Sequence, residues 1–240
     1  MATTAGPAAG QSADSAYFAR FATILSLFII AAFMLNAVLG RAAYSYSLVW
    51  PHVHAVVMVA WLALHVVQAR LATNGNLAQH RRLGWLGAYL TVAVVGTMSF
   101  AGIAAIRGGF LPPFFTEPYF LALTQVGAVV FGGLVFAAIT RRTQTDYHRR
   151  LMTGSLILLT EPAFGRVLPM PMMVGWGEWA IMVIQLVFVG MIALHDRRTI
   201  GRVHPATATV GAIVAMAHVL IEVAAVSPMF QRIASDIAGG

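Results

Sequence analysis

The chain has 240 residues, 59% of them hydrophobic and only 10% charged, which excludes an ordinary water-soluble domain and makes lipid the solvent for the exterior of a single domain this size. Cysteine and lysine are both absent, and all 15 basic residues are arginine. That removes disulfides, thiolate ligands, cysteine nucleophiles and a retinal Schiff base, and the net charge of +7 marks cytoplasmic loops, not a nucleic-acid partner.

Residues 1–17 are rich in Ala, Gly, Ser and Thr and lack a basic stretch before the first apolar run. They read as a flexible tail, not a cleaved signal peptide, and the first helix serves as the uncleaved insertion signal. Seven apolar segments follow within a membrane domain over 18–228: Phe21–Gly40, His52–Ala69, Leu83–Ile106, Pro118–Thr140, Leu151–Gly165, Gly177–Leu194 and Pro205–Val226. Each is measured against the roughly 20 residues that a helical span needs. The third and fourth carry no charge over their length. The fifth is the weakest, because Glu161-Pro162 interrupts it. Residues 229–240 read as a short tail.

Arginine placement sets the orientation. Eleven arginines fall with the N-terminal tail and the 2–3, 4–5 and 6–7 connections, against four on the other side. The expected fold is therefore an all-α bundle of seven transmembrane helices, N-terminus cytoplasmic and C-terminus periplasmic, in a bacterial inner membrane. Gly127, Gly132, Gly133 and Ala137 give the fourth span a small-residue face that permits close helix approach.

Three helix starts repeat a pattern. Gln79-His80-Arg81-Arg82-Leu83 opens span 3, Tyr147-His148-Arg149-Arg150-Leu151 opens span 5, and Gly201-Arg202-Val203-His204-Pro205 opens span 7. Spans 2–3, 4–5 and 6–7 thus read as repeated hairpins, with the arginines and histidines anchored at lipid headgroups. The motifs HRRLGWLGAYL (80–90), HRRLM (148–152) and RVHPAT (202–207), with the WPHVHAVVMVAW span, resemble a broad group of uncharacterised bacterial polytopic membrane proteins. The resemblance covers most of the chain from about residue 50, and it implies fold and inner-membrane residence without implying a reaction. A looser similarity to the membrane domains of b-type cytochromes rests on histidines in helical spans.

Ionisable groups inside a span are costly and mark function. At about 1.5 Å per residue, most of them fall in the outer half of the bilayer. His52 and His54 lie at the outer end of span 2, Glu161 and Arg166 in and after span 5, and Glu178 at the start of span 6. His218 and Glu222 are four apart on one face of span 7. His65 is an exception, deeper in span 2. The expected pocket takes its metal ligands from His52, His54, Glu161, Glu178, His218 and Glu222, holding a transition metal such as zinc, iron or copper. Its catalytic groups are Glu161 and Glu222 as proton acceptors and Arg166 as an anion-holding group. The competing arrangement is haem b, with His54 facing His218 and His65 facing His204 as two bis-imidazole pairs. Ser45 and Ser47 lie in a loop with no nucleophile elbow, so serine hydrolysis has no support.

Three functions follow. The first is a pocket that binds a metal or cofactor and acts on a membrane-embedded or lipid-like molecule, a quinone among them. The second is a di-haem electron carrier. The third is a non-catalytic subunit of an oligomer or larger membrane complex. Whether the chain is an enzyme is left open among the three.

Overall fold

The structure is a computed structural model and describes residues 9–41 and 49–240. Ser45 and Ser47 lie outside the described residues. The elements are α1 (Ala9–Val38), α2 (Val49–Thr73), α3 (Leu77–Arg107), α4 (Glu117–Thr140), α5 (Thr145–Leu158), α6 (Glu161–Val167), α7 (Gly177–Ile200), α8 (Pro205–Val226) and α9 (Pro228–Gly239), with one 3-10 turn at Met170–Met172. No strand occurs among the described residues. Six of the helices, α1, α2, α3, α4, α7 and α8, are long and apolar enough to cross a membrane, and six such helices define a multi-pass membrane protein.

Three sequence expectations need correction. The N-terminal tail is helical from Ala9, and its Asp14 and Tyr17 are engaged with the far end of the chain. Residues 229–240 are not a loose tail: α9 is an amphipathic helix whose Ala234 packs with Ile106 and Leu121. The fifth span is not one helix. It breaks between α5 and α6, and neither part reaches the length of a crossing on its own.

The break has a local cause. Pro162 lacks an N–H, so it cannot donate to the carbonyl of Leu158 four residues back. Thr160 instead takes the Ile157 carbonyl twice, through its backbone N–H at 3.0 Å and its hydroxyl at 2.6 Å. The orphaned Leu158 carbonyl faces the Gln185 amide of α7 at 3.4 Å.

The bundle is built around α5 and α4. Helix α5 packs against α1, α4, α7 and α8, while α4 packs against α3, α5, α8 and α9. Surrounded this way, α5 tolerates a polar sequence: Arg150, Thr153 and Ser155 are all buried on it. Gly154 lets α8 approach closely, since a Cβ there would lie 2.6 Å from Val210. Gly127 and Gly132 do the same for α4 against Met98 and Val95 of α3.

Helices α5 and α7 run antiparallel. Arg150 meets Asp196 at one end, and Leu158 meets Gln185 farther along. The first contact lies at the arginine-rich end of the bundle and the second toward the opposite end.

Candidate functional site

Among the described residues, two clusters of buried ionisable groups lie inside the bundle, one toward each end. The first centres on His218 of α8, which is 2% exposed, and Glu178 in the first turn of α7, which is 3% exposed. His218 Nδ1 lies 2.6 Å from Glu178 Oε1, and His218 Nε2 lies 3.1 Å from Gln185 Oε1. The Tyr119 hydroxyl of α4 donates to Glu178 Oε2. Gln185 is fully buried, and its Nε2 donates to the Leu158 carbonyl and to Thr160 Oγ1, both at 3.4 Å.

The donors and acceptors fix most of the protons. The Leu158 carbonyl only accepts, so Gln185 must turn its NH2 toward it and its oxygen toward His218. An amide oxygen also only accepts, so His218 Nε2 carries a proton. The second proton of the pair lies between Nδ1 and Oε1. It makes either an imidazolium beside a carboxylate or a neutral imidazole beside a carboxylic acid. The pair is neutral either way, which is what allows it to sit in a dry interior.

Glu161 enters this cluster at the helix break. With His218, Gln185, Met98 and Phe131 it lines a cavity of about 30 Å3, enough for one or two waters. Glu161 is within electrostatic reach of Glu178 and of Arg166. Arg166 donates to the Pro162 carbonyl at 2.8 Å and lies 3.9 Å over the Phe33 ring. Glu222, one turn beyond His218, is half-buried and in reach of Glu178.

The other expected ligands go elsewhere. His54 is half-buried and bonds Thr97 Oγ1 of α3 at 3.2 Å. Thr97 spends its proton on the Ala93 carbonyl at 2.8 Å, so it accepts from His54. His52 is exposed on α2. His65 is buried and stacks on Trp61 at 4.9 Å. His204 Nδ1 accepts the Ala206 N–H at 3.1 Å and caps α8. The two expected haem pairs therefore do not form: α2 packs on α1 and α3, α8 packs on α4, α5, α7 and α9, and both ring nitrogens of His218 are occupied. The six expected metal ligands do not converge either. Among the described residues no group of three or more His, Asp or Glu side chains is placed to hold a metal ion.

The second cluster was missed in the sequence. Arg150 is 1% exposed and Asp196 fully buried. Asp196 Oδ1 takes Arg150 Nε at 3.0 Å and Nη2 at 2.5 Å, while Oδ2 takes the His204 N–H at 3.0 Å and the Thr207 hydroxyl at 2.5 Å. Nearby, Asp14 of α1 pairs with Arg149 and with His195 Nε2, the latter at 2.7 Å. Tyr17 stacks on His195 at 3.7 Å. This joins α1, α5, α7 and α8 with every carboxylate oxygen of Asp196 satisfied, which is a structural lock and not a reactive site. The available signal was the lone Asp196 next to an arginine-rich loop.

No protein-family model, curated protein or solved structure matches this chain.

Proposed function

We propose that this chain is a seven-crossing inner-membrane protein whose Glu178–His218 pair exchanges a proton while the protein acts on a membrane-embedded or lipid-like molecule. In this reading α5 and α6 together form the fifth crossing. Their 14 and 7 residues rise about 31 Å at about 1.5 Å each, close to the hydrocarbon thickness. A broken helix at membrane depth is tolerated where it lines a cavity and its freed carbonyl finds a partner. Gln185 supplies that partner. The cytoplasmic N-terminus and periplasmic C-terminus follow from the arginine asymmetry.

The observation that carries the reading is the 2.6 Å contact between two buried groups, His218 Nδ1 and Glu178 Oε1, which requires a proton between them. Gln185 and Tyr119 orient the pair. Glu161 lines the water-sized cavity beside it and is the natural exchange partner.

Infrared difference spectroscopy of the purified protein tests this. A buried carboxylic-acid band that shifts in D2O is expected. It should weaken in Glu178→Gln and change position in Glu161→Gln. Absence of any buried carboxylic-acid band, or a band that both substitutions leave intact, overturns the proposal.

A further inference from the structure

The histidines of the two HRRL motifs have a use that the proton-exchange reading does not touch. His80 starts α3 and His148 starts α5, both at the arginine-rich end. Each ring is fixed in the same way. His80 Nδ1 lies 3.1 Å from the carbonyl of Gln68 in α2, and His148 Nδ1 lies 2.8 Å from the carbonyl of Ala138 in α4. A carbonyl only accepts, so in both rings Nδ1 carries the proton. In the neutral ring Nε2 is then a bare lone pair, turned away from the helix that holds Nδ1.

That is the tautomer and outer hydrogen bond typical of a metal-binding histidine. The rings also meet each other, with centroids 6.2 Å apart and planes at 88°. Two imidazoles sharing one ion at about 2.0–2.1 Å hold their centres roughly 4.5 to 6.4 Å apart, the upper end belonging to a nearly linear pair. Both residues are half-buried at the arginine-rich end of the bundle. The same joint contains an acceptor without a donor: Gln68 Oε1 is buried and unbonded, while its Nε2 donates to the His80 carbonyl at 3.0 Å.

We infer that His80 and His148 form a two-imidazole site for a copper ion, tying the α2–α3 hairpin to the α4–α5 hairpin. Imidazole nitrogen suits copper, which stands at the top of the divalent affinity order. Two protein ligands are enough for copper when water completes its shell, whereas a structural zinc site uses four.

The test is a Cu2+ titration of the full chain in detergent, after washing with a chelating resin, read by electron paramagnetic resonance. One Cu2+ per chain is expected, with hyperfine coupling to two imidazole nitrogens. His80→Gln and His148→Gln keep an amide N–H for the Gln68 and Ala138 carbonyls, so the hairpins stay tied. Each should reduce the coupling to one nitrogen, and the double variant should abolish binding. His218→Gln should leave the signal unchanged, which separates this site from the proton-exchange centre. Copper that remains after the double substitution, or no copper retained by the parent chain, would overturn the inference.

Discussion

Asp196 accepts from four donors while fully buried, so its loss leaves the buried Arg150 with only the exposed Asp146 carboxylate, 3.8 Å away, as a charge partner. Asp196→Asn should cost about 3–5 kcal/mol, the usual penalty for breaking a buried pair. Chemical unfolding in mixed micelles measures it. Replacing both partners by apolar residues, Arg150→Met with Asp196→Leu, should recover most of that loss, because no lone charge remains. His204 reports on the same joint. Burial, then the nearby Arg150, lowers its pKa below the ordinary histidine value. A depressed folded pKa means the neutral ring stabilises the fold at and above the unfolded value, near 6.5. That contribution fades as pH falls below it, because Nδ1 must stay bare to accept the Ala206 N–H. His204→Asn keeps an N-cap oxygen that does not titrate. Its melting temperature should therefore fall less than that of the parent between about pH 7 and about pH 5. Sequence position alone placed His218, Glu178 and Glu161 at a common depth. It had no means to show Gln185 or Tyr119 as their partners, since neutral polar side chains occur in apolar spans for packing as often as for chemistry. In the sequence Arg150 reads as a topology marker and a headgroup anchor; instead it is buried against Asp196, and burial of an arginine is visible only once a carboxylate from another helix is seen to reach it.

At the scale of the element, the weakest segment in the sequence turns out to be the best buried helix. Hydropathy measures fitness for lipid, and α5 faces helices on most sides. It therefore carries Arg150, Thr153, Gly154 and Ser155 without cost from the bilayer. Its ends were legible: Glu161-Pro162 marked the interruption, and the HRRL start marked the boundary. The close contact with α8 was not, since one glycine among 22 has no distinguishing neighbour in the chain. Gly154→Val should be among the most damaging single changes. The added carbons meet Val210, with the Cβ alone 2.6 Å away, and overpacking of this kind costs about 1–3 kcal/mol. Gly133→Ala on α4 should be nearly silent, because nothing lies within 4 Å of the new Cβ. A shift of the thermal transition in detergent for the first variant alone is the expected outcome, and equal shifts would show that the α5–α8 contact is looser than the structure has it.

For the whole molecule, the parity of crossings decides everything placed on one face or the other. Apolar segments and arginine counts were readable from the chain because bilayer thickness and leaflet charge act on composition directly. The α5–α6 break is the one place where composition and geometry pull apart: six helices are long enough alone, and the seventh crossing exists only if two short ones share it. A cysteine-free chain makes this directly testable with single introduced thiols and a membrane-impermeant maleimide. Thr143 lies exposed between α4 and α5, Val174 is 67% exposed before α7, and Ser235 is exposed on α9. If α5 and α6 cross together, Val174→Cys and Ser235→Cys are labelled in intact spheroplasts, while Thr143→Cys is labelled only after permeabilisation. If they do not, Thr143→Cys and Val174→Cys label alike, the Glu178 end of α7 moves to the arginine-rich face, and the neutral Glu178–His218 pair loses the depth on which its proton-exchanging role depends.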